Sequence, residues 1–236
     1  MSVLVIMPTY NELANLERSI ESVRSAQPQV HILVVDDNSP DGTGALADRI
    51  AARDAQVQVL HRSKKDGLGG AYLAGFAWAF ERGFKTLVEM DADGSHRAED
   101  VGKLLAQAGR ADLVIGSRWV EGGAVQNWPW YRRAISRTGT FYADVMLGSR
   151  VRDMTAGFRA FDAEFLKSLN LEGVASRGYG FQVEMAWRTQ KAGGTIVEVP
   201  ITFVERTEGA SKMTTAIVLE ALWLVTKWGI SRRLGL

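Results

Sequence analysis

The sequence predicts an α/β fold: a mostly parallel sheet covered on both faces by helices. Three observations carry that expectation. Short runs rich in Val, Ile and Leu alternate with helical patterns over residues 1–118, the pattern of a buried parallel sheet. Each run closes on polar residues with turn chemistry. The chain has 236 residues, 46% of them hydrophobic, which suits one large core.

The elements follow in order. "VLVIMP" reads as the first strand and "NLERSIESVRSA" as its helix, then "VHILVVDD" and "GTGALADRIAARD". "VQVLHR" precedes "GGAYLAGFAWAFERG", "TLVEMDAD" precedes "RAEDVGKLLAQAGR", and "DLVIGSR" closes the regular part. Residues 119–175 are less periodic. A Gly/Pro/Trp loop enters the amphipathic helix of "NWPWYRRAISRTGTFYADVML", and "DMTAGFRAFD" reads as a loop with a short strand. "GFQVEMAWRTQKAGG" is a helix ended by glycine, "TIVEVPITF" a strand, "ERTEGASK" a polar loop, and roughly 213–230 a last helix.

Composition narrows the function. A net charge of +1 with 23% charged residues gives no global basic field, so no nucleic-acid partner is expected. With no cysteine, disulfides, thiolate metal sites and cysteine nucleophiles are excluded. His31, His61 and His96 lack zinc spacing. The N-terminus lacks signal-peptide character. "AIVLEALWLVTKWGI" carries Glu220 and Lys227 and falls short of the roughly 20 apolar residues of a spanning helix. No transmembrane segment is expected, and the cytoplasm is the default address.

In open sheets of this kind, ligands lie beyond the carboxyl ends of the strands. Those ends are "PTYNE", "DDNSPDGT", "HRSKKDGLGG", "DADGSH" and "GSRW". Asp91 and Asp93 stand two apart, so if the strand continues that far an extended backbone aims both at one point. That suits a hard divalent cation shared with a diphosphate, and equally a solvated Asp-Gly-Ser turn. Asp36 and Asp37 suit the donors of a ribose or nucleobase, or simply a turn before a helix. "KDGLGGAY" fits neither the dinucleotide fingerprint nor a P-loop. Its glycines point to a tight turn and close helix packing, with Lys65 near an anion. Arg118, Arg132, Arg133, Arg137, Arg159, Arg206 and Lys212 are either surface solvation or, where several converge, a phosphate pocket.

Taken in order, "PTYNE", "DDNSPDGT", "KDGLGGAY", "DADGSH", "GSRW", "TAGFR", "GYGFQVE" and "ERTEGASK" resemble the polyprenol-phosphate (dolichol-phosphate) mannose synthases, family 2 glycosyltransferases of GT-A fold. "VEMDADGSH" and "NWP" are most similar to the actinobacterial branch. The resemblance spans roughly residues 3–215. It implies a GT-A domain over 1–212, with 213–236 as an amphipathic C-terminal helix and tail. It further implies inverting transfer of mannose from GDP-mannose to a polyprenyl monophosphate, with Mg²⁺ or Mn²⁺ as cofactor.

Carried over by position, Pro8, Tyr10, Glu12, Val35, Asp37, Asp91, Ala92, Asp93, Arg118, Arg206 and Lys212 would contact the donor. Asp91, Asp93 and Ser95 would hold the metal, and Arg118, Arg132, Ser136 and Arg206 the acceptor phosphate. Asp91, Asp93, Arg118 and Arg206 would carry catalysis. Gly94 departs from the Leu of many relatives, which loosens the turn and removes no ligand.

An acceptor phosphate is already ionised at neutral pH, so no general base is needed. Ile217, Ala221, Leu224, Val225 and Trp228 form one helical face, followed by Arg232 and Arg233. That face suits a membrane interface or a packed core equally. Peripheral association with the cytoplasmic face of a membrane is expected, directly or through a membrane-embedded partner subunit. The competing readings are a polyprenyl-phosphate glucosyltransferase or other family 2 enzyme, a sugar nucleotidyltransferase, and a catalytically inactive nucleotide-sugar binding module.

Overall fold

The computed structural model describes residues 2–176, 178, 180–205 and 215–234, the side chains of 215–218 excepted. The expected alternation is present in β1 (Val3–Thr9), α1 (Leu16–Ala26), β2 (His31–Asp36), α2 (Thr43–Ala51), β3 (Val57–His61) and α3 (Gly67–Glu81). It continues through β4 (Thr86–Glu89), α4 (Ala98–Leu105) and β5 (Leu113–Ser117). After these come β6 (Ala124–Gln126), α5 (Trp130–Leu147), β7 (Arg159–Asp162), α6 (Ala163–Ser168), α7 (Gly180–Lys191), β8 (Ile196–Pro200), β9 (Thr202–Val204) and α8 (Thr215–Leu234).

The main sheet has seven strands in the order β3-β2-β1-β4-β7-β5-β8, and β6 pairs with β9 in a second, two-stranded sheet. Six of the seven main strands share one direction. The exception is β7, which runs antiparallel between β4 and β5 and pairs Glu89 with Arg159.

Strand alternation divides the core. Val3, Val5 and Met7 of β1 join Ile32 and Val34 of β2 under Leu16, Ile20, Val23, Val101 and Leu104. Leu4, Ile6, Leu33 and Val35 face the other layer, with Tyr72, Phe76, Phe161 and Phe181. The glycines of α3 serve close packing: a Cβ on Gly75 would stand 2.7 Å from Ile6 Cγ2, and one on Gly69 2.7 Å from Phe181. Side chains at either position would push the helix off the sheet.

The last helix begins at Thr215 and ends at Leu234. Of the apolar face expected there, Leu224, Val225 and Trp228 are buried in the core, Ala221 is half-buried and, like Val225, lines the cavity beyond the strand ends, and Ile217 lies outside the described side chains. Trp228 stacks on Trp187 of α7 with ring centroids 5.3 Å apart, and Thr226 shares a 2.6 Å hydrogen bond with Tyr142 of α5. A different apolar set, Leu219, Leu222, Trp223, Ile230 and Leu234, remains exposed on α8. Trp130, Tyr131, Ile135, Phe141 and Val145 are likewise exposed on α5. Among the described residues no helix is long and apolar enough to cross a membrane.

Candidate active site

The carboxyl ends of β1, β2 and β4 open onto one cavity of about 380 Å³. From the end of β1 and the loop after it come Pro8, Tyr10 and Glu12, from just beyond β2 Asp37, and from the turn after β4 Asp91, Ala92 and Asp93. Arg118, at the end of β5, and Arg132 and Ser136, on α5, close the opposite side. Farther along the same cavity, Ile135, Tyr142, Ala143, Leu222 and Val225 form an apolar wall between α5 and α8.

Two expected contacts lie apart from the lining. Val35 is fully buried and its side chain packs in the core, because the residue before the polar strand end still points into the helix layer. A contact there is limited to the backbone. Ser95 is also buried. Arg206 and Lys212 lie outside the described residues.

At the β2 end the two neighbouring acids have separate tasks. Asp36 accepts hydrogen bonds from Thr9 Oγ1 at 3.0 Å and Ser39 Oγ at 2.6 Å, which braces the turn. Asp37 faces the cavity and pairs with Arg62 at 2.7 Å. Burial raises its carboxyl above the usual range, against the opposing pull of Arg62. Lys65 stands 4.0 Å over the ring of Tyr10, so the cation next to the glycine-rich turn does reach the site.

The β4 turn brings together hard oxygen donors. Asp91 and Asp93 line the cavity, and the Ser95 N–H donates to Asp93 Oδ1 at 3.0 Å. Ser95 Oγ is buried and has no hydrogen-bond partner among the described residues. Two carboxylates and an orphan hydroxyl fit a hard divalent cation that completes its shell with phosphate oxygens. Among the described residues no three His, Cys, Asp or Glu side chains cluster as a metal cage. Gly94 has φ +76°, a left-handed conformation that glycine adopts without strain.

His96 lies buried in this turn, its ring stacked on Phe158 at 4.8 Å and edge-on to Phe203 at 5.4 Å. Burial holds its pKa down at about 4. The neutral ring uses Nδ1 to accept the Asp91 N–H at 3.4 Å. Histidine spacing in the sequence does not reveal this role, since His96 acts on a backbone group within its own turn. Gln182 was equally hidden. It lines the cavity from α7, and its Nε2 donates to Glu89 Oε2 at 2.9 Å.

The arginines divide sharply. Arg159 is fully buried and donates to the carbonyls of Ala156 at 2.8 Å, Gln182 at 2.6 Å and Met154 at 2.9 Å. It therefore clamps backbone rather than substrate. Arg118 makes a two-pronged pair with Asp153, Nε to Oδ2 at 2.7 Å and Nη2 to Oδ1 at 2.6 Å. Nη2 also reaches Thr155 Oγ1 at 2.8 Å. The fork is rigidly aimed, and much of its charge is offset. Arg132 pairs with Glu205 and lies 4.4 Å over the Trp128 ring.

Comparison with known proteins identifies the family and the fold. Residues 4–169 match the family model "Glycosyl transferase family 2", and the chain belongs to that family. It is 55% identical over 233 residues to the undecaprenyl-phosphate mannosyltransferase of Micrococcus luteus, covering 99% of this chain and 96% of the relative. It is 54% identical over 233 residues to the polyprenol monophosphomannose synthase of Mycolicibacterium smegmatis, covering 98% and 88%.

Among solved structures it resembles glucosyl-3-phosphoglycerate synthase from Mycobacterium tuberculosis in complex with Mn²⁺, UDP and glucosyl-3-phosphoglycerate. The TM-score is 0.68 at 21% identity, covering 100% of this chain and 80% of the other. A mannosyltransferase from Pyrobaculum calidifontis in complex with GDP-Man and Mn²⁺ gives a TM-score of 0.59 at 14% identity, covering 97% and 73%. The fold is therefore GT-A-like, with a mixed, mostly parallel sheet.

Proposed function

We propose that the chain transfers mannose from GDP-mannose to a polyprenyl monophosphate with inversion at the anomeric carbon, using Mg²⁺ or Mn²⁺ held by Asp91 and Asp93. Mannose transfer to a polyprenyl phosphate is the activity named for relatives more than half identical over nearly the whole chain, and it is the activity of this enzyme. One observation carries the reading furthest. A single cavity joins the acidic strand ends, the arginines of β5 and α5, and an apolar wall between two helices. A nucleotide sugar fits the first part, a phosphate the second, and the start of a lipid chain the third.

The residues then take distinct roles. Pro8, Tyr10, Glu12 and Asp37 receive the nucleoside, with the backbone of Val35 behind them, and Ala92 lies along the donor between the two acids. Asp91 and Asp93 face the diphosphate, and the buried Ser95 hydroxyl stands ready as a further oxygen ligand. When bound, the metal supplies Lewis-acid stabilisation of the leaving diphosphate. Arg118, aimed by Asp153, acts with Arg132 and Ser136 on the acceptor phosphate and offsets its repulsion from the donor. Arg206 and Lys212 are assigned to the same anions from the sequence resemblance. Because the acceptor oxygen is ionised, the site needs no group to remove its proton.

The exposed apolar residues of α5 and α8 support peripheral docking at the cytoplasmic face of a membrane, either directly or beside a membrane-embedded subunit. On this reading α8 is the interfacial appendage of the catalytic domain as well as part of its packing.

The test is an assay of purified protein with labelled GDP-mannose, a short polyprenyl phosphate and Mg²⁺ or Mn²⁺, with chelator and UDP-glucose controls. Metal-dependent mannolipid is expected. Product from UDP-glucose alone would overturn the donor assignment, and full turnover in excess chelator would overturn the metal.

A further inference from the structure

A second cavity, also of about 380 Å³, lies where the loop after β5 meets the first turns of α5. Arg118, Arg133 and Arg137 line it, and no carboxylate does. Arg118 is already compensated by Asp153. Arg133 and Arg137 are exposed and form no ion pair with a carboxylate among the described residues. Both are braced. Arg133 Nη2 donates to the Val125 carbonyl at 3.2 Å, and the Arg137 guanidinium lies 5.1 Å over the Trp119 ring. Each contact leaves other guanidinium N–H groups of the five available to an anion.

The loop is built tightly enough to hold this shape. A Cβ on Gly123 would stand 2.7 Å from the Ser117 carbonyl oxygen, so the chain there packs directly on the end of β5. The position of the two cations on α5 gives the cavity its meaning. Arg133 and Arg137 are four residues apart and share a helix face. At 100° per residue that face borders the stripe of Trp130, Phe141 and Val145, all exposed. Cations flanking an exposed aromatic and aliphatic stripe match the depth profile of a membrane surface, with apolar groups among the acyl chains and guanidinium groups at the phosphates.

We infer that the cavity lined by Arg133 and Arg137 is a headgroup subsite for an anionic phospholipid of the membrane, adjoining the acceptor-phosphate position at Arg118, Arg132 and Ser136, with which it shares only the Asp153-paired Arg118 among the described residues assigned to that phosphate. The inference rests on the membrane-surface part of the proposed function. A lipid phosphate seated there would fix the rotation of α5 about its axis and so present the mouth of the catalytic cavity, between α5 and α8, to the bilayer. Each basic residue near an anionic surface strengthens attachment by roughly fivefold, so the pair should contribute roughly thirtyfold.

The experiment compares the full chain with R133Q/R137Q in co-sedimentation with phosphatidylcholine vesicles with and without phosphatidylglycerol. Turnover of a short-chain acceptor in detergent serves as the control. The expected result is roughly thirtyfold weaker binding of the variant to phosphatidylglycerol vesicles, unchanged binding to pure phosphatidylcholine and unchanged turnover in detergent. Equal binding of both proteins to anionic vesicles would overturn the subsite while leaving the mannosyltransferase reading intact. Failure of the wild type to bind any vesicle would overturn the subsite together with direct membrane docking. Inorganic phosphate bound by the wild type and lost in the variant, with vesicle binding equal in both, would assign the cavity to free phosphate and overturn the lipid.

Discussion

Glu89→Gln removes one buried titration from the floor of the site. Glu89 is fully buried at the end of β4, with Oε2 accepting from Gln182 at 2.9 Å and Oε1 without a hydrogen-bond partner among the described residues. Burial pushes its carboxyl up from 4.5 to about 7, against the favourable field of Arg159. Between those values the folded protein keeps a proton that the unfolded chain has lost, so stability falls as pH rises. The contribution is fully present below about 4.5 and is lost by passage through about 7. That gap corresponds to about 3 kcal/mol.

His96 has the opposite sign. Held at about 4, it contributes stability that is present above its unfolded value of 6.5 and lost as pH falls toward 4. The two slopes oppose each other near pH 5 to 6.5, and Gln at position 89 removes only one of them.

The assay is urea unfolding of wild type and variant at several pH values from 5 to 8. The stability of the variant relative to wild type is expected to grow by about 2 to 3 kcal/mol across that range. An offset at the lowest pH is of no consequence, because the new amide N–H group adds its own hydrogen-bonding demand. Parallel profiles for the two proteins would refute the reasoning and show that Glu89 titrates as an ordinary carboxyl.

Three further outcomes follow from named contacts. Asp153→Ala strands the buried guanidinium of Arg118 and should cost about 3 to 5 kcal/mol, read by chemical denaturation; a loss below about 1 kcal/mol would mean that the pair is not structural. Asp93→Ala should reduce metal-dependent turnover by at least about 100-fold and change the melting temperature little, since the side chain lines a cavity; retained activity would remove Asp93 from the metal site. Phe76→Ala, at a fully buried ring packed against Tyr72 and Phe161, should cost about 3 to 5 kcal/mol; near-neutral stability would contradict the packing described for α3.

Local sequence was enough to determine the β/α alternation through residue 118 and the gathering of polar strand ends on one rim. Both follow from short-range rules: side chains alternate along a strand, apolar runs bury, and the turn chemistry of Asp, Asn and Gly marks where a strand stops. The same rules marked Asp91 and Asp93 as rim residues, but the strand stops at Glu89, so it is the turn after β4, rather than extended-chain alternation, that brings both to the cavity. Eight ordered motifs carried the family.

Only the tertiary structure decided which polar residue meets the cavity and which is consumed in holding it. Asp36 and Asp37 are neighbours with the same side chain, yet one braces a turn against Ser39 and the other faces the cavity beside Arg62. Arg159 resembles the other cations in sequence and becomes a backbone clamp because β7 inserts antiparallel beside β4. The apolar residues of α8 divide between core and surface according to the direction in which α5 and α7 approach it. These outcomes depend on groups brought together from distant parts of the chain, and no local period encodes which partner arrives. The sequence therefore determines the chemistry available at the rim, and long-range packing determines which of those groups remain to act.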